Sequence, residues 1–175
     1  MISAARAALA RFRSMGAHVP STCRLDAARI LLERAQTESL RPSPEDQAFL
    51  ERIAAAHRTI FRNYLISRCV GPGVVNVRKI EASLSGAEVE EHDRNPVGRN
   101  TEFELYFAAL MAMGGIEARM AEPDLHIKYG PECVGVAVKR VQRPSKILRR
   151  AIEASEQIRR SGIPGFLCLN LDLVI

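Results

Sequence analysis

The stretch AEPDLHIKYGPECVGVAVKRVQRPS, residues 121 to 145, decides the fold. It holds Pro123-Asp124, a short run, a Gly-Pro-Glu turn signal at 130–132, and a β-branched run that ends on Lys139-Arg140. Leu125, Ile127 and Tyr129 alternate with polar residues, which predicts a strand with one apolar face. CVGVAVKRV, from Cys133 to Val141, predicts its partner. In an antiparallel hairpin the start of one strand lies beside the end of the other. Asp124 and Lys139 then come side by side. Residues two apart share a face, so Ala137 joins them on it.

The elements on either side follow from the same reading. TEFELYFAALMAMGG, 101–115, predicts a helix capped by Thr101, with acids in its first turn and a Gly114-Gly115 stop. IEARMA at 116–121 predicts a strand. PSKILRRAIEASEQIRRSG predicts a helix with Pro144 and Ser145 at its start and Gly162 at its end, and GFLCLNLDLVI predicts a buried strand. The order is α-β-β-β-α-β.

Upstream the pattern is helical. SAARAALARFRSM reads as a surface helix that stops at Gly16. STCRLDAARILLERAQ opens on a Ser/Thr cap, with Leu25, Ile30, Leu31 and Leu32 as its apolar face. A third helix is expected from Ser43 and Pro44 onward, with Leu50, Ile53, Ala54, His57, Ile60, Phe61 and Leu65 keeping its period. His57 is a lone histidine there and reads as a packed or surface residue. VVNVRKIEASL at 74–84 predicts a short strand or an extended arm, and the polar stretch after it a loop. Glu88, Glu90, Glu91 and Asp93 read as a solvated acidic cluster.

Composition bounds the function. The chain has 175 residues, 47% of them hydrophobic, which is enough apolar material for a core without staples. Trp is absent and only 5% of residues are aromatic, so a base-stacking platform is not expected. Net charge is +5. The excess is local: eight basic and two acidic residues fall between Lys139 and Arg160, and the remainder is near neutral. A basic surface of that kind suits phosphate backbones, although a solvated helix face has the same composition. The four cysteines are scattered, with no CxxC pair, which argues for reduced thiols rather than zinc or a disulfide framework. Cys133 and Cys168 read as small buried hydrophobes. No apolar run has transmembrane length and no secretory core is evident, so a cytoplasmic protein off the membrane is expected.

The C-terminal order and its residues resemble the PD-(D/E)xK nuclease superfamily, the restriction endonuclease-like fold. The resemblance covers roughly 98–175, and rests on Pro123-Asp124 at a strand start, Lys139 at the next strand's end, a preceding helix acid and a following basic helix. It implies an α/β fold with a restriction endonuclease-like αβββαβ core at 98–175; the residue patterns place a linker or arm at 74–97 and a helical region at 1–73 before it. It implies metal-dependent phosphodiester hydrolysis, most often of DNA, with Mg²⁺ or Mn²⁺ held by Asp124 and Glu104, Glu102 being the fallback. Lys139 would position the water. Gln157 resembles a polar helix residue that some branches place near the site. Arg140, Arg143, Lys146, Arg149 and Arg150 would hold the nucleic-acid backbone.

The sequence departs from the motif at one place. The acid expected two residues before the lysine is Ala137. Three explanations compete. The acid has moved, to Glu104, Glu102 or Glu132; or Ala137 is an engineered knockout; or the chain is a naturally inactive nuclease fold that binds nucleic acid or protein. The N-terminal helices could dimerise or dock a partner.

Overall fold

The computed structural model describes residues 1–37, 46–87, 93 and 96–171. Among them the chain is mixed α/β, with six α-helices and a four-stranded mixed sheet. It divides into two compact units, residues 1–68 with 77–102, and residues 69–76 with 103–175. The division falls inside one helix, Val97–Met113.

The first unit is helical. Its helices are α1 (Ile2–Ser14), α2 (Arg24–Thr37), α3 (Gln47–Cys69, whose last residue belongs to the second unit), α4 (Val77–Ser83) and the start of α5 (Val97–Met113). In α1, Ala5, Ala8, Leu9 and Phe12 recur at helical spacing and are buried, so one face of the expected surface helix is core. α2 buries Leu25, Ala28, Leu31 and Leu32, while Ile30 is exposed. Each large side chain fully buried here contributes about 1.5–3 kcal/mol.

α3 begins later than expected, and its buried face matches the expected one only in part, at Ile60. Ser43 and Pro44 lie outside the described residues. Asp46 supplies the cap, its Oδ1 accepting the Phe49 N–H at 3.1 Å. Leu50, Ala54, His57 and Phe61 face outward, whereas Ala55, Thr59, Arg62 and Ile66 and, beside them, Ala56, Ile60, Asn63 and Ser67 face inward. The inward rows carry Arg62 and Asn63 because they meet a carboxylate. Glu102 has no exposed surface. Its Oε1 accepts a 2.7 Å hydrogen bond from Asn63 Nδ2 and lies 3.0 Å from Arg24 Nη2; its Oε2 lies 3.6 Å from Arg99 and 3.9 Å from Arg62. A charge taken out of water needs such partners, so polar residues displaced apolar ones from the core side of α3.

The expected strand or arm at 74–84 is instead α4. Ile80 and Leu84, four apart, are buried, and the Leu84 carbonyl accepts the Arg24 N–H at 3.1 Å. Glu88, Glu90 and Glu91 lie outside the described residues. Asp93 is not solvated: its side chain is 3% exposed and 3.6 Å from Arg99. α5 starts four residues before Thr101, so Thr101 is no cap; its hydroxyl donates to the Val97 carbonyl within the helix. Glu102 and Glu104 accordingly sit beyond the first turn.

The second unit holds the sheet. β1 (Ala118–Ala121), β2 (Asp124–Tyr129) and β3 (Glu132–Arg140) are successive antiparallel neighbours, and β4 (Gly165–Asn170) runs parallel to β3. A 3₁₀ turn, Pro144–Lys146, leads into α6 (Ile147–Ser161), which packs on β3 and β4 and ends at Gly162 with φ +71°. The observed order from α5 onward is α-β-β-β-α-β, with that turn inserted. β4 differs from expectation. It is an edge strand, and Gly165, Phe166 and Leu167 are exposed. An unbroken apolar run suits a strand covered on both faces; α6 packs on β4, yet among the described residues the first three positions of the strand stay uncovered.

Replacing Glu102 by Ala should cost about 3–5 kcal/mol in urea unfolding, because arginines are then left buried around a missing charge. The exposed His57→Ala should stay within about 0.5 kcal/mol. Equal effects would mean that the carboxylate does not organise this core.

Candidate functional site

The hairpin of β2 and β3 positions the candidate site. Its register pairs Tyr129 with Glu132 at the turn and Leu125 with Val136 near the open end. One further step sets Asp124 across from Ala137 and diagonal to Lys139. The side chains meet as that predicts. Lys139 Nζ donates to Asp124 Oδ2 at 2.5 Å, and the Val138 N–H donates to the same oxygen at 2.8 Å. Both side chains are largely shielded, Asp124 11% and Lys139 16% exposed. Ala137 is fully buried.

The turn before Asp124 is held against the sheet from two sides. Gly135 has no side chain, and a Cβ there would come within 2.9 Å of Pro123 Cδ and 3.2 Å of Ile163 Cδ1. Only glycine permits that approach. From α6, Gln157 Nε2 donates to the Pro123 carbonyl at 3.1 Å. The Glu122–Pro123 peptide bond is cis. Gln157 therefore acts on the backbone beside Asp124, and Gly135, which sequence reasoning passed over, makes room for it. Its signal was an isolated glycine in a β-branched strand, which marks a close backbone approach.

The other expected residues are not gathered here. Glu132 pairs at the turn end of the hairpin, opposite the end that holds Asp124. Glu102 is enclosed by arginines within the first unit. Glu104 is half-buried on α5 and already engaged. Among the described residues, no three His, Cys, Asp or Glu side chains group to hold a metal ion. Mg²⁺ or Mn²⁺ is thus a poor fit: the one carboxylate in place has Lys139 on it, and Ala137 offers no oxygen. Local charge is balanced without a cation. A carboxylate at 137 would lie beside Asp124 and would call for one.

The basic segment divides in the fold. Arg140 is buried, 5% exposed, because the last residues of β3 run inside; it offers no surface contact to a phosphate. Arg149 and Arg150 converge on Glu153 at 2.8 and 2.7 Å, and their hydrogen bonds hold its carboxyl below the usual carboxylate range. Arg143, just before the 3₁₀ turn, and Lys146, its last residue, are exposed and make no ion pair among the described residues. Arg159 is exposed at the far end of α6. The cysteines are free thiols; Cys133 and Cys168 are half-buried rather than buried, and burial still pushes the Cys168 thiol up.

The chain matches no protein-family model, no curated protein and no solved structure. Among the described residues no helix is long and apolar enough to cross a membrane.

If Asp124 and Lys139 act as one unit, a double-mutant cycle of Asp124→Asn and Lys139→Met should give a coupling of about 0.5–3 kcal/mol. Additive effects in urea unfolding would mean the contact contributes nothing of its own.

Proposed function

We propose that residues 103–175 form a nuclease-like core that binds nucleic acid, most simply duplex DNA, without hydrolysing it. The observation that carries this reading is the Asp124–Lys139 ion pair beside Ala137. The carboxylate that metal chemistry would use has a lysine as its cation, and the second carboxylate of the motif is missing. The element order, the hairpin geometry and the Gln157 tie to the Pro123 turn support the restriction endonuclease-like comparison. They support a shape that can lie against a duplex, whatever chemistry the site retains.

Binding would rest on Arg143 and Lys146, with Arg159 at the other end of α6. Arg149 and Arg150 contribute less while Glu153 neutralises them. Such contacts act by counterion release and read no sequence. The hydrolytic alternative, with Mg²⁺ or Mn²⁺ on Asp124 and Glu104, requires Lys139 to leave Asp124 and a further ligand to arrive.

Supercoiled plasmid incubated with the protein and Mg²⁺ or Mn²⁺ should remain intact. A labelled duplex should bind with an affinity that falls steeply with salt. In the Arg143→Ala, Lys146→Ala double variant the log–log salt slope should drop by about two. Nicking that Asp124→Ala abolishes would overturn the non-hydrolytic reading. Salt-insensitive binding, or none, would overturn nucleic-acid recognition itself.

A further inference from the structure

Apolar side chains are exposed along one side of the sheet unit, at the free edge of β4. On that strand Phe166 is 45% and Leu167 37% exposed; on α6 Leu148 is 73% and Ile152 51% exposed. The contacts of α6 say where its pair points. Ala154 is fully buried and Ile158 reaches the Gly165 position, so their row faces the sheet. Gln157, on one flank, leans to the Pro123 turn on the β2 side. At about 3.6 residues per turn, Leu148 and Ile152 fall on the other flank, over the free edge of β4.

The strand offers hydrogen bonds at the same place. The Pro164 and Asn170 carbonyls face β3, where they accept from Gly135 and Val141. Alternation turns the N–H and C=O groups of Gly165, Leu167 and Leu169 the other way, where no strand among the described residues pairs them. Sheet edges are ordinarily blunted by charge or proline, and Gly165–Asn170 has neither.

We propose that a second copy of the chain covers this edge, in a two-fold dimer that joins two four-stranded sheets through β4 and packs α6 on its equivalent. An axis normal to the sheet through Leu167 sets β4 antiparallel to itself and keeps both α6 helices on one face. The spacing fits. α6 packs on both β3 and β4, so its axis lies about half a strand spacing, about 2.4 Å, inside β4. Across a paired edge the two helix axes come about 9.6 Å apart, within the range of about 8–10 Å for packed helices. The level fits too. Leu167 lies about 6.6 Å along the strand from Gly165, which is about four residues back along α6 from Ile158, between Ile152 and Ser155. Ile152 of each copy then packs beside Ser155 of the other, with Arg159 past the end of the apolar pair. Charge is complementary on the outer side, where Arg149 of one copy and Glu156 of the other fall within about 3 Å of one level. Arg149 bonds Glu153 through Nε, and the Glu156 carboxylate has no partner among the described residues. The dimer stands whether or not the chain binds nucleic acid.

Sedimentation equilibrium of the full chain across the micromolar range should show a reversible dimer of the 19.4 kDa chain. Amide exchange read by NMR locates the interface. The Leu167 and Leu169 amides should exchange about fivefold more slowly at about ten times Kd than far below it, while the Cys168 amide, which faces β3, stays unchanged. Leu148→Glu with Ile152→Glu, both at exposed positions, should raise Kd at least about thirtyfold. Should that variant fail to fold, the concentration dependence of Leu167 and Leu169 exchange in the unaltered chain still decides. A chain that stays monomeric would overturn the proposal and leave the edge to a strand of another protein. A dimer whose Leu167 and Leu169 amides exchange as in the monomer would overturn it as well.

Discussion

Charge compensation away from water is the constraint on which both units depend. In the sheet unit a single carboxylate, Asp124, is shielded at the open end of a hairpin, and Lys139 is placed two residues past its cross-strand neighbour to meet it. In the helical unit Glu102 is fully buried and draws in Asn63 and arginines from α2, α3 and α5. In both places the geometry of regular structure delivers the partner: a diagonal across two strands in one, successive helical turns in the other. The helical arrangement is not secure once one member is lost, because the remaining charge stays buried; the sheet pair, partly exposed, depends on its partner less.

That constraint separates what could be read from the sequence from what could not. The hairpin was legible because its strands alternate and its turn is marked by Gly130 and Pro131, so the Asp124–Lys139 contact followed from antiparallel pairing alone. α6 was legible from Pro144, its charge pattern and Gly162. The buried side of α3 was legible only in part. Periodicity weighs apolar residues: of the row it selected, Ile60 is buried and Ile53 and Leu65 are half-buried, but Leu50, Ala54, His57 and Phe61 point outward. Arg62 and Asn63 face inward to serve a carboxylate 39 residues from Asn63 along the chain, which no local window contains. α4 was misread for a related reason: Val74 and Val75 suggest a strand, but Ile80 and Leu84 bury at helical spacing just beyond them.

The site was legible in part. A motif names positions and says little about which of its charges are already satisfied. Lys139 and Asp124 were named correctly as neighbours, yet as neighbours they neutralise one another. Arg140 follows Lys139 in sequence but alternates away from it and is buried. Arg149 and Arg150 look like two phosphate ligands until Glu153, three and four residues on, takes both. Counting basic residues overstates the cationic surface for this reason. What remains is a smaller set concentrated at the 3₁₀ turn, where no acidic residue lies within a helical turn of Arg143 or Lys146.

The residue at position 137 then bears directly on the pair, because Ala137 lies across from Asp124 and brings no second charge. A hydrolytic site of this kind holds two carboxylates close together, and it tolerates their repulsion because a divalent cation sits between them. With alanine there, the repulsion is gone and so is the need for the cation. Lys139 supplies the positive charge on Asp124, and no carboxylate at 137 competes for it. A carboxylate placed at 137 would lie across from Asp124 and would compete for Lys139, so the pair would rearrange before either oxygen could serve a metal.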